Sequence, residues 1–317
     1  MVKRIKYTTI KRDLESADVK KIHKPWIKLK ETIDDEDYKI INELQERCLQ
    51  TDQIALKLEL DYKLGVSDGS GNGVQDINEF MYFDGELLIG YMGICNFGGP
   101  WEVNGMVHPE YRRLGVFTRL FELVMAEWKR RDSGSMLLLS DRNSESGQQF
   151  IAGVGAQYKH SEYEMFMKKD APVTTPEQLA GIVFRKATNA DAKEIARQNA
   201  IYFNDEEEIT ADDMPLPEVE EKRGMTSYLV EKDGEIIGKV NLQLTAKLGA
   251  IFGLGVLPEH RRKGYGRALL LLAIEKLKEA NAQEIMLQVA AENANALNLY
   301  KSCGFEETST MDYFELK

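Results

Sequence analysis

One stretch of this chain occurs twice. Val107-His-Pro-Glu-Tyr-Arg-Arg-Leu-Gly115 returns as Val256-Leu-Pro-Glu-His-Arg-Arg-Lys-Gly264, 149 positions on (256 − 107). The same displacement carries Asp84-Gly85-Glu86 onto Asp233-Gly234-Glu235 and Gly155 onto Gly304. Three landmarks in one register identify two copies of one unit, because a chance glycine match would not repeat along the chain. A length of 317 residues gives each copy the ~150 residues that support a core of its own. The expected division is a first unit over 1–170 with a basic N-terminal arm, a linker over 171–180 rich in proline and threonine, and a second unit over 181–317.

Local patterning predicts the elements of each unit. In the first, Trp26-Ile-Lys-Leu-Lys-Glu alternates as a strand does. Asp34 or Asp35 can cap a helix whose apolar face is Ile40, Ile41, Leu44 and Cys48. Asp84-Gly85 between two apolar runs predicts a hairpin, and Gly65–Gly73 a loop. In the second, Val183-Phe-Arg-Lys-Ala is a strand and Thr188-Asn-Ala-Asp191 a helix start. Strands follow at Tyr228-Leu-Val, Ile236–Leu242, Ile251–Val256 and Glu284–Val289, with helices over 264–280 and 293–302 and a last hairpin within Phe305–Leu316. Each unit is expected to be α/β (α+β), a mixed, mostly antiparallel sheet flanked by helices.

The repeated stretch joins an apolar strand to an apolar helix through a basic glycine turn, Arg261-Arg262-Lys263-Gly264-Tyr265-Gly266-Arg267. Gly264 and Gly266 let main-chain N–H groups approach a ligand that any Cβ would obstruct. The first helical turn adds unpaired donors and roughly +0.5 of an elementary charge, which together favour a pyrophosphate. A dinucleotide loop would need Gly-x-Gly-x-x-Gly, and a Walker loop Gly-x-x-x-x-Gly-Lys-Ser/Thr; neither is present. A plain connecting turn is the remaining alternative.

Val256-Leu-Pro258-Glu-His-Arg261-Arg-Lys-Gly264-Tyr-Gly266 resembles the acyl-CoA-binding motif of the GNAT acyltransferase superfamily, Val-x-Pro-x-x-Arg-x-x-Gly-x-Gly. The second unit also carries Asn293-x-x-Ala296-x-x-Leu299-Tyr300-x-x-x-Gly304-Phe305, similar to a pattern frequent in that superfamily after the fifth strand. The resemblance implies an N-acetyltransferase that takes acetyl-CoA as co-substrate, with no metal, and joins it to a small-molecule or peptide amine in a ternary complex. It implies that Tyr300 protonates the departing thiolate. CoA would be held by Leu254, Gly255, Val256, Arg261, Arg262, Lys263, Gly264, Tyr265, Gly266, Arg267 and Asn293, a backbone N–H of the 254–256 strand facing the thioester oxygen. In the first unit the displacement puts Ile151 at the tyrosine, Ser144 at the asparagine and Phe117 at Gly266. That copy is expected to be degenerate, with Val107, Arg112, Arg113 and Gly115 as a possible second CoA site. A CoA-sensing or interaction module without turnover is the alternative reading, and it would not need Tyr300.

The general base is not evident, since Ile251–Val256 holds no carboxylate; water, or the acidic run Glu206 to Asp213, could serve. That run is either a solvated helix face or an entrance attractive to a cationic amine. A net charge of −11 speaks against a nucleic-acid partner. No apolar run approaches the ~18 residues of a membrane span, and the N-terminus has no signal core, so a cytoplasmic location is expected. Cys48, Cys95 and Cys303 suit reduced thiols, Cys303 as a small core residue. His108 and His260 are expected to be exposed beside the loops, and the few, scattered histidines suggest no metal site. Fusion of two copies favours a monomer.

Overall fold

The computed structural model describes residues 21–65, 76–96, 99–169, 181–203 and 216–317. The basic arm before residue 21, most of the Gly65–Gly73 loop, the 171–180 linker and the acidic run fall outside the described residues. The first half runs β1 (Pro25–Lys30), α1 (Asp35–Asp52), α2 (Leu60–Gly65), β2 (Glu79–Asp84), β3 (Leu87–Cys95), β4 (Trp101–Val107), α3 (Val116–Arg131), β5 (Met136–Asp141), α4 (Glu145–Val154) and β6 (Gln157–Met167). The second runs β7 (Ile182–Lys186), α5 (Ala192–Phe203), α6 (Pro217–Lys222), β8 (Met225–Lys232), β9 (Glu235–Thr245), β10 (Leu248–Val256), α7 (Tyr265–Glu279), β11 (Glu284–Ala290), α8 (Ala294–Ser302) and β12 (Phe305–Leu316).

The local signals act as their chemistry requires. Asp34 caps α1 in a reciprocal pair with Asp37, satisfying amides that the first turn leaves open. Thr188 and Asp191 close the same box ahead of α5, and Arg185 fixes Asp191 from β7 with two 2.9 Å hydrogen bonds. Asp233 and Gly234 both take positive φ (54° and 85°), the twist that suits a tight hairpin between β8 and β9.

The twelve strands of the described residues form one sheet in the order β1-β2-β3-β4-β5-β12-β6-β11-β10-β9-β8-β7. Among the described strands only β4–β5 and β10–β11 are parallel; every other neighbouring pair is antiparallel. The two halves exchange their last strands at the centre. β12 pairs with β5 of the first half, Met311 facing Asp141 through Leu316 facing Met136, while β6 pairs with β11, Met286 facing Phe166 through Ala290 facing Glu162. The sheet is thus continuous where two separate sheets were expected.

Side chains follow the backbone across the seam. Met165 of β6 is fully buried in the core beneath α7 and α8, while Phe314 and Leu316 of β12 pack on the first-half core beneath α3. Burying a side chain such as Met165 contributes about 1.5–3 kcal/mol. Arg142 reaches Asp312 at 2.7 Å, and Ser161 donates to the same carboxylate. β12 is also one strand of twelve residues where a hairpin was expected, because no turn interrupts its pairing with β6. α1 and α5 cover the opposite face of the sheet from α3, α4, α7 and α8, so each half presents two chemically separate faces.

Candidate active site

The two glycine turns share one backbone. Each follows its strand through a short 3-10 turn (109–111 and 258–260), then places Arg113 or Arg262 at φ 64° or 61° and Gly115 or Gly264 at φ 80° or 83°, directly before α3 or α7. In both, the first arginine ties the turn to the end of its strand: Arg112 Nε donates to the Val107 carbonyl at 3.2 Å, Arg261 Nε to that of Val256 at 2.9 Å. Their outer nitrogens differ. Arg112 grips Asp52 of α1 with both, at 2.7 and 2.5 Å, so its charge is already neutralised. Arg261 lies exposed, next to exposed Arg262, Lys263 and Gly264, and no carboxylate among the described residues pairs with it. The charge of the first arginine is therefore available at the N-terminus of α7 and not at α3.

Gly266 is in ordinary contact range of Leu299 and Val256, and Arg267 crosses to Ser302 at the end of α8. Tyr265 packs on the second-half core. Where Gly266 would lie in the first half, Phe117 stands edge-on to Phe150, 4.6 Å between ring centres. Asn293 caps α8, its Oδ1 accepting from the Ala296 amide at 3.1 Å. Its oxygen thus has a structural duty, as does the equivalent Ser144, which caps α4.

Each half opens a gap where its parallel strands part. β10 is paired with β11 only from Leu248–Glu284 to Ile251–Leu287, and β4 with β5 only from Trp101–Met136 to Val103–Leu138. The two gaps differ along the next strand over. β4 pairs with β3 without interruption, but β10 steps out of register with β9 between Phe252 and Gly255. Gly253 and Leu254 there face a single residue, Val240, and Gly253 takes φ 55°. Such a bulge leaves the ladder locally unpaired and supplies backbone N–H groups that can face a ligand oxygen.

Tyr300 of α8 lies in the core on the α7 face of the sheet, 7% exposed, its ring 6.2 Å from Phe305. Burial pushes its phenol up to about 12, so it stays protonated throughout the neutral range. Ile151 takes the same place in the first half, 4% exposed, and lines a cavity of about 440 Å³ with Gly105, Phe117, Leu138, Ser144 and Phe150. The first half therefore has a sizeable cavity at its gap and no proton donor at its tyrosine position. On the α5 side of the second-half gap, Tyr202 lies flat against Gly255: a Cβ there would stand 2.2–2.5 Å from the ring. Gly255→Ala should push Tyr202 off the strand at a cost of about 1–3 kcal/mol, read as a drop in Tm together with lost activity.

Two expectations change. His108 is buried, edge-on to Tyr111, with Nδ1 accepting from the Glu110 amide, because the turn folds it inward. His260 is mostly covered, with its side chain 15% exposed and 3.8 Å from Glu235. Cys303 is buried in the core as expected. Sequence reasoning passed over Tyr202, Gln198 and Lys239, all on the α5 face. Among the described residues no group of three His, Cys, Asp or Glu side chains could hold a metal, and no helix is long and apolar enough to cross a membrane.

Comparison with known proteins bears on this geometry. The Acetyltransferase (GNAT) family matches residues 192–305. An N-alpha-acetyltransferase of Sulfurisphaera tokodaii is 33% identical over 100 residues, covering 27% of this chain and 60% of that protein. A mycothiol acetyltransferase of Thermobispora bispora is 27% identical over 241 residues, covering 71% of this chain and 79% of the relative. Two solved structures share the fold across 92% of this chain. A GCN5-related N-acetyltransferase of Sphaerobacter thermophilus has a TM-score of 0.70 at 20% identity, with 95% of that chain covered. A tandem GNAT protein from the clavulanic acid biosynthesis pathway has a TM-score of 0.70 at 16% identity, with 98% covered.

Proposed function

We propose that the second half of this chain, most of which matches the GNAT acetyltransferase family, transfers an acetyl group from acetyl-CoA to an amine by direct attack in a ternary complex. The observation that carries this reading is the Gly253–Leu254 bulge, found in β10 and not in β4, beside an exposed basic turn, with Tyr300 on the α7 face of the same sheet. The N-terminus of α7 and the main-chain amides of Gly264 to Gly266 take the pyrophosphate, with Arg261, Arg262, Lys263 and Arg267 around it. The pantetheine arm runs along Leu254, Gly255 and Val256 into the gap. An N–H at the bulge stabilises the oxyanion, and Tyr300 gives its proton to the departing sulfur.

The acceptor is a small-molecule amine. Support comes from the mycothiol acetyltransferase relative, whose similarity extends over both halves, where the N-alpha-acetyltransferase covers only about a quarter of the chain. For the first half alone, binding of CoA without turnover is favoured by its 440 Å³ cavity, which falls within the size range of small-ligand sites and has Val107, Arg112, Arg113 and Gly115 at its rim.

Thermal shift with acetyl-CoA, CoA, ATP and NAD, followed by thiol release across an amine panel, tests the proposal. Stabilisation of about 2.7 kcal/mol is expected at a hundredfold excess of acetyl-CoA over its Kd, with thiol released only when an amine is present. Preferential stabilisation by ATP or NAD would reject it.

A further inference from the structure

Beneath α5 the second half buries a lysine that meets no carboxylate among the described residues. Lys239 of β9 is 0% exposed, and its one hydrogen bond among the described residues is a long one, Nζ to the Gly253 carbonyl at 3.4 Å. Next on the same face, Asn241 has a buried Oδ1 without a partner among the described residues. Both side chains converge on the bulge: a Cβ on Gly253 would lie 3.0 Å from Lys239 Nζ and 3.3 Å from Asn241 Nδ2.

The first half shows what the fold needs at this place. Tyr91 faces Met106 as Lys239 faces Gly255. Its hydroxyl is met by Lys63 Nζ at 3.1 Å and by Glu79, which are themselves paired at 2.8 Å. Every polar group there is satisfied. A lone amine in the matching position is unfavourable for folding, since burial disfavours its charged form and leaves donors unused. Its position at the bulge suggests a chemical duty.

We propose that Lys239 is the proton acceptor for the amine in the second half's transfer reaction, which rests on the function proposed above. An acceptor nitrogen that approaches the thioester from the α5 face arrives beside Nζ, while Tyr300 stands on the α7 face. The strands part between the two, so base and acid reach the thioester from opposite sides of the sheet. Neutral Lys239 takes one proton from the substrate ammonium. The freed nitrogen pair forms the C–N bond and the carbonyl pair moves onto oxygen; as that oxyanion collapses the C–S bond breaks, and the sulfur leaves with its bonding pair and takes the Tyr300 proton. The nitrogen sheds its second proton to water. Lys239 then returns its proton, restoring the phenol directly or through water, so one proton is released per turnover.

The surroundings allow this. Burial alone lowers the amine to about 8 from a free lysine's 10.5. From α5 the titratable groups nearby are Tyr202, bonded to Gln198 and held neutral by burial, and Glu194, held by Arg197 and Gln198. From β8 its cross-strand neighbour is Leu229, and β10 presents glycine backbone.

The test compares wild type, Lys239→Gln, Lys239→Arg and Lys239→Met in the full chain, with acetyl-CoA and the best amine of the panel. Wild-type kcat should rise through pH 8 and level off. Gln and Arg variants should lose that limb and about 10²-fold or more of kcat, with KM for acetyl-CoA little changed. Wild type should also gain stability as pH rises from about 8 towards 10.5, because the unfolded lysine binds a proton that the folded one has released. Lys239→Met should lack that gain and melt higher at pH 7. A pH limb retained by Lys239→Gln and Lys239→Arg, or a lower Tm for Lys239→Met, would overturn the proposal and leave Lys239 as a support for the bulge. A wild type that releases no thiol with any amine would overturn the proposed function itself.

Discussion

Tyr300→Phe should cut thiol release by about 10²–10⁴-fold, the usual worth of a positioned proton donor, while the fold is kept. The ring fills space in the core beneath α7 and α8, and phenylalanine fills the same space. Burial is the single cause that raises the phenol, so no charged partner is left stranded when the hydroxyl goes. Tm should hold or rise slightly. Binding of acetyl-CoA, followed by thermal shift, should change little, since the proton is needed only as the C–S bond breaks. A loss in kcat without a loss in binding is the signature to look for. Equal losses in Tm and kcat would mark Tyr300 as a packing residue.

Ending the chain after Gly304 should unfold the first half as well as the second. β12 supplies the strand beside β5, its Phe314 and Leu316 pack on the first-half core, and Asp312 holds Arg142. Losing those contacts costs several kcal/mol, comparable with the 5–15 kcal/mol that keeps a domain folded. All three tryptophans (Trp26, Trp101 and Trp128) lie in the first half, so their fluorescence reports it alone. The truncated chain should show the exposed-tryptophan spectrum at temperatures where the full chain is native. A first half that keeps its native emission and its own melting transition would show that the exchanged strand is dispensable.

The two turns were legible because they are local: glycine at positive φ and arginine at fixed spacing are demands a short segment makes on its own residues. Caps at Asp34 and Thr188 were legible for the same reason. Strand exchange was not, because β6 and β12 alternate alike and a period of two does not say which edge a strand joins. The different states of Arg112 and Arg261 depend on Asp52, sixty residues from Arg112 in the chain. Gly253-Leu254-Gly255 carried a hint of the bulge, since glycine inside a strand often marks one. Lys239 carried another, as a charge within the apolar run Ile236–Leu242 whose cover by α5 only the tertiary structure reveals.

The central claim is that the second half does the chemistry. Its most direct measurement is thiol release by Gly264→Val and Gly115→Val side by side, both glycines having φ near 80° where a branched side chain is strained. The account predicts that Gly264→Val loses most of the activity and that Gly115→Val keeps it. Activity that survives at Gly264→Val and vanishes at Gly115→Val would contradict it, and would move the reaction to the cavity between β4 and β5.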